Sequence, residues 1–119
     1  MLYKVSLELA SCREFPNGNR ECRYELLLPL TADLALDYPG WRQSRRNDIV
    51  RRRWHDGEEV SGSLQHESDF WILAFGWGCG RKEAFVRDED DRFAVGQEIP
   101  IVEFDGRTSI FRVVETEPL

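Results

Sequence analysis

Histidine occurs twice and cysteine three times in this 119-residue chain, and neither appears in the paired spacing that chemistry on these side chains usually needs. Cys12, Cys22 and Cys79 are an odd set without a secretory leader, which argues against a disulfide framework and for reduced thiols in the cytosol. No Cys-x-x-Cys or His-x-x-x-His pair brings two metal ligands together locally. Cys12, Cys22, Cys79, His55 and His66 would have to converge from distant segments to hold zinc, and no cofactor or metal is expected. The acidic run Asp88 to Asp91 lacks the spacing of an EF-hand and reads as a solvated turn. Gly76-x-Gly78-x-Gly80 lacks the lysine–serine pair and the following amphipathic helix of a phosphate loop. No apolar run approaches the roughly 18 residues of a membrane-spanning helix. The start of the chain, Met1 to Ala10, alternates apolar and polar residues where a signal peptide is continuously apolar. A cytoplasmic protein with no membrane contact is the expectation.

What the chain does have is core-forming material. Apolar residues make up 41% and charged residues 32%, and there are four Trp, three Tyr and seven Phe, which separates it from disordered sequences. The length suits one hydrophobic core and is too short for two, so residues 1–119 read as a single domain. The net charge of −6 is unevenly spread. Residues 1–55 carry ten basic and seven acidic side chains, and residues 88–119 carry three basic and nine acidic. That polarity can steer a partner, although solubility alone would also account for an acidic chain.

The dominant periodicity is two. Tyr3, Val5, Leu7 and Leu9 alternate with polar residues, as in a strand with one wet face. Phe15-Pro16-Asn17-Gly18-Asn19 marks a turn. Tyr24, Leu26, Leu28 and Leu30 give a second strand at about 22–29. A long connection follows, Thr31 to Arg46, with a short helical turn expected at Trp41 to Arg46. Ile49 to His55 and Val60 to Leu64 read as a hairpin around Asp56-Gly57. Phe70 to Phe75 is continuously apolar, as expected of a core strand covered on both faces. The glycines at 76–80 should break it, and Arg81 to Arg92 reads as a loop with a short strand around Ala84 to Val86. Ile99 to Phe104 and Thr108 to Glu115 flank Asp105-Gly106 as a closing hairpin. A two-residue loop would pair Val102 with Ser109 and a three-residue loop would pair it with Ile110, burying the two apolar residues together.

Six or seven short strands and one or two helical turns cannot supply the strand–helix alternation of a parallel sheet. The expected fold is all-β, a small antiparallel barrel or strongly curved sheet, which also protects its edges. Leu9-Ala10-Ser11-Cys12-Arg13-Glu14-Phe15-Pro16-Asn17-Gly18, Pro29-Leu30-Thr31-Ala32-Asp33, Val50-Arg51-Arg52-Arg53-Trp54 and Phe111-Arg112-Val113-Val114 resemble segments of a group of small bacterial proteins without an assigned activity. The resemblance covers most of the chain. It implies a stand-alone protein and carries no catalytic residue.

The sharpest functional feature is Trp41 to His55, in which Arg42, Arg45, Arg46, Arg51, Arg52 and Arg53 face a single acid, Asp48, between Trp41 and Trp54. Guanidinium groups bind phosphate and carboxylate bidentately and indoles stack on bases. The same composition also arises when arginine stems cover apolar surface and their heads pair with internal carboxylates such as Asp88 to Asp91. Consecutive residues on a strand point to opposite faces, so Arg51, Arg52 and Arg53 meet one ligand only at an edge. The leading expectation is a non-enzymatic adaptor that docks a protein partner, an acidic one, through its Arg-rich edge or through an aromatic surface anchored by Trp41, Trp54, Trp71 and Trp77. A nucleic-acid-binding barrel using segment 41–55 is the alternative, and it requires the arginines to share a face. A thiol or hydrolytic enzyme stands third. It would need Cys79 beside His55 or His66 in a concave pocket, and the carboxylates Glu14, Glu58 and Glu59 show no cleft around them. An exposed strand edge could support a homodimer, but no residue pattern requires one.

Overall fold

In the computed structural model, residues 2–43, 49–54, 57–67, 70–77, 80–87 and 92–119 are described, with the backbone alone at residues 43, 49, 67, 76, 77, 80–82 and 87. Among the described residues, eight strands follow one another around a closed antiparallel barrel in sequence order. They are β1 (Leu2–Leu9), β2 (Asn19–Pro29), β3 (Ile49–Arg53), β4 (Glu59–Glu67), β5 (Phe70–Trp77), β6 (Gly80–Arg87), β7 (Glu98–Val102) and β8 (Thr108–Pro118), with one short helix, α1 (Tyr38–Gln43), between β2 and β3. The circle closes where β8 pairs with β1, from Tyr3↔Pro118 to Leu9↔Phe111. The all-β barrel expected from the alternation is therefore present, with eight strands rather than six or seven.

Inward-facing residues fill the barrel. Val5 and Leu7, Tyr24, Leu26 and Leu28, Trp71, Leu73 and Phe75, Ile99 and Ile101, and Phe111 and Val113 are all buried in one cluster. One end is covered by Leu30, Leu34 and Phe93, where the Phe93 amide donates to the Leu34 carbonyl at 2.9 Å. The other end, where β1, β3, β5 and β7 finish and β2, β4, β6 and β8 begin, carries a polar network. Charged residues decorate the outside: Lys4 pairs with Glu115, and Arg51 lies between Glu25 and Glu59. Apolar-in and charged-out is the reverse of a lipid-facing barrel wall. No helix among the described residues is long and apolar enough to cross a membrane.

Four local expectations are corrected. The helix starts at Tyr38 rather than Trp41, because Asp37 caps it: the Asp37 carboxylate accepts the Gly40 amide at 3.0 Å and its carbonyl accepts the Trp41 amide at 2.8 Å. Pro39 lies in the first turn, where a missing N–H costs nothing. Gly76 and Trp77 continue β5 instead of ending it, and segment 81–92 holds a full strand. β6 pairs with β5 from Phe70↔Arg87 to Trp77↔Gly80. Among the described side chains of β6, only Ala84 and Val86 are buried in the core, so the strand signal was diluted by charge while β5 supplied the template.

The closing hairpin adopts neither expected register. Val102 pairs with Thr108, Ile101 with Ser109 and Pro100 with Ile110. The Gly106 amide donates to the Glu103 carbonyl at 2.9 Å and the Glu103 amide to the Arg107 carbonyl at 2.8 Å. Gly106 has φ of 84°, a left-handed position that closes a three-residue loop two residues tighter than the apolar pairing of Val102 with Ile110 implied. As a result Phe111 and Val113 face the core, and Val102 and Ile110 face outward together.

Candidate functional site

The barrel divides the Arg/Trp segment instead of assembling it. Strand β3 lies between β2 and β4, so its arginines alternate about a wall with no free edge. Arg51 and Arg53 are exposed on the outer face and Arg52 is buried. Arg51 finds carboxylates at Glu25 (3.9 Å) and Glu59 (3.5 Å), partners supplied by the neighbouring strands. Arg42 is exposed on α1 at the opposite end of the barrel. Arg45, Arg46, His55, Cys79 and the acids Asp88 to Asp91 lie outside the described residues. Trp41 is half-buried, with its indole N–H donated to the Leu64 carbonyl at 2.9 Å. Trp54 is half-buried against Phe104, ring centroids 5.7 Å apart. Trp71 is fully buried.

Arg52 is the centre of a polar network at the loop-bearing mouth of the barrel. Its side chain is 4% exposed, and Nε donates to Glu103 Oε1 at 3.1 Å, while Nη1 donates to the Arg53 carbonyl. The Tyr24 hydroxyl donates to the same Glu103 Oε1 at 3.1 Å and the Ser109 hydroxyl to Oε2 at 3.1 Å. Three aromatic rings cover the guanidinium: Trp54 at 4.8 Å, Tyr24 at 5.0 Å and Phe111 at 5.4 Å from ring centroid to Cζ. A buried ion pair is tolerable only when its donors and acceptors are met this way. Burial, and then the neighbouring Glu103 charge, push the Tyr24 phenol well above its ordinary range, with Arg52 opposing. Above the network a groove of about 310 Å³ opens to solvent, with Phe15, Trp54, Arg13 and Arg107 on its walls and Arg52 and Glu103 in its floor.

Sequence reasoning included Arg52 but missed Glu103, Tyr24 and Ser109 as its partners. Tyr24 was legible as an inward-facing residue by its place in the alternation. Glu103, 51 positions from Arg52, carries no local signal of its pairing.

A second feature lies on the outer wall. Strand alternation puts Phe70 and Ile72 of β5, Phe85 of β6, Pro100 and Val102 of β7 and Ile110 of β8 on the outside. They are contiguous through Ile72↔Phe85, Phe85↔Val102 and Pro100↔Ile110. Phe70 and Phe85 meet edge to face at 6.1 Å. Phe70 and Ile110 are each 38% exposed, whereas Ile72 is only 4% exposed beneath its neighbours. The exposed Glu98–Arg112 pair flanks this stripe, 3.5 Å apart. His66 is enclosed by Tyr38, Trp41 and Trp71. Among the described residues, no three His, Cys, Asp or Glu side chains converge in a metal-binding group.

These features define a filled, eight-stranded up-and-down β-barrel with a buried ion pair at one mouth and an apolar stripe on one wall. No family model matches the chain, and neither the curated proteins nor the solved structures contain a match to it.

Proposed function

We propose that the protein is a non-enzymatic binding module that docks a protein partner on the outer wall formed by β5 to β8. The observation that carries this reading is the continuous apolar stripe from Phe70 to Ile110 on a barrel whose opposite wall carries the ion pairs of Arg51 with Glu25 and Glu59. Apolar surface on a barrel exterior contributes nothing to the core, and contiguous patches of this kind mark interaction surfaces. Phe70 and Ile110 are the anchors, with the Glu98–Arg112 pair as a polar rim. The arginines of β3 support the same choice of wall. Arg52 is turned inward, and of the two that share the outer face, Arg51 and Arg53, Arg51 is already compensated by Glu25 and Glu59, which leaves little free positive charge for a phosphate backbone.

Immobilised wild type and a Phe70→Lys/Ile110→Lys variant test this directly, after far-UV circular dichroism shows both folded. A protein retained from cell extract by the wild type, identified and then bound as a purified partner, should lose at least tenfold in affinity for the variant, or about 1.4 kcal/mol. Equal retention on both resins would refute the wall as the docking surface. Oligonucleotide binding that falls steeply with salt and is lost in an Arg51→Ala/Arg53→Ala variant would redirect the reading to nucleic acid.

A further inference from the structure

The barrel mouth carries a separate site. A guanidinium has five N–H donors, and Arg52 spends one on Glu103 and one on the Arg53 carbonyl. Its remaining three make no hydrogen bond to a described residue, although the side chain is 96% buried and lines the groove floor. The rings of Trp54, Tyr24 and Phe111 hold the guanidinium plane in place. The ordering cost of a flexible arginine is therefore met before any ligand arrives.

We infer that this groove binds a small aromatic monocarboxylate, with its carboxylate on the unused Arg52 donors and its ring against Trp54 and Phe15. Three features of the groove select that chemistry. Parallel N–H donors on a planar cation match a planar carboxylate. The lining residues Arg13, Arg52 and Arg107 are balanced by Glu14, Glu103 and Asp105, so the groove has no surplus positive charge to offset the second charge of a dianion such as phosphate, whereas one negative charge is met by the Arg52 donors. The volume of about 310 Å³ lies at the small end of ligand sites and fits a one-ring acid.

Benzoate titrated into the ¹⁵N-labelled full chain is the test, followed by NMR at the Arg52 Nε–H and the Trp54 indole N–H, with benzamide as the neutral control. Saturable movement of both signals is expected with benzoate, with at least tenfold weaker response to benzamide. An Arg52→Gln/Glu103→Gln variant removes both charges, is isosteric at position 103 and keeps a shorter polar side chain at position 52. It should lose the response, whereas an Arg53→Gln variant on the outer wall should keep it. Should the double variant not fold, nuclear Overhauser contacts from benzoate ring protons to Trp54 in the wild type decide. Contacts there support the site, and contacts elsewhere overturn it. Linear, unsaturated shifts to about 10 mM, weaker than any useful affinity, overturn it too.

Discussion

Glu103 accepts from a guanidinium, a phenol and a hydroxyl at once, and the phenol is the member whose titration can be followed. Tyr24 has its pKa raised by burial and by the Glu103 charge, so the folded chain keeps a proton that the unfolded chain releases near pH 10. The contribution is intact below pH 10 and is lost as pH climbs above it, by about 1.4 kcal/mol per pH unit. Urea midpoints measured from pH 9 to 11 should fall more steeply for the wild type than for Tyr24→Phe. Tyrosinate absorbance should show Tyr24 ionising only as the barrel unfolds. Equal slopes for the two proteins would mean that the phenol is not held in this network. At this scale the sequence was half legible: the alternation placed Tyr24 inward, and the run of three arginines on a strand already implied that they could not share a face. Which of the three would be buried depended on how β3 sits between β2 and β4, and its carboxylate partner came from a distant hairpin.

Among the elements, β4 shows the tightest constraint. A β-carbon added at Gly62 would lie 1.9 Å from the Ala74 carbonyl oxygen, on the backbone of β5, which cannot yield as a flexible side chain would. Glycine in a strand commonly marks such a close approach at a barrel bend. Gly62→Ala should destabilise the protein by about 2 kcal/mol or more, typical of overpacking, read as a lower urea midpoint. An unchanged midpoint would show that β4 can move away from β5 at little cost. Gly62 was visible in the sequence only as one inward position in an alternating strand, because the approach of two backbones leaves no trace in periodicity. The β7–β8 hairpin teaches the same lesson. Asp105-Gly106 located the turn, but the choice of loop was made by Gly106 and by the need to bury Phe111 and Val113. It sent Val102 and Ile110 outward, and the proposed docking wall exists because of that register.

For the whole molecule, the seam between β1 and β8 makes the sheet a barrel. Deleting residues 116–119 removes the Tyr3↔Pro118, Lys4↔Glu117 and Val5↔Thr116 pairs, the Thr116 hydroxyl bond to the Phe93 carbonyl and the Leu119 amide bond to the Leu2 carbonyl. At about 0.5–1.5 kcal/mol for each hydrogen bond, a loss of about 2–4 kcal/mol is expected. Hydrogen exchange should rise in β1 and around Phe93 before it rises in β4 and β5. Uniform acceleration across the strands would indicate that the barrel opens only as a unit.

The sequence by itself determined that this is an all-β chain, where most of its strands lie and where it turns, because alternation and Asn-Gly or Asp-Gly turns act over a few residues. Only the tertiary structure decided that the sheet closes, that Arg52 is buried with Glu103 while Arg51 and Arg53 stay outside, and that an apolar stripe crosses four strands. Those outcomes depend on register and closure between segments far apart in the chain, where a shift of one residue exchanges the inner and outer faces.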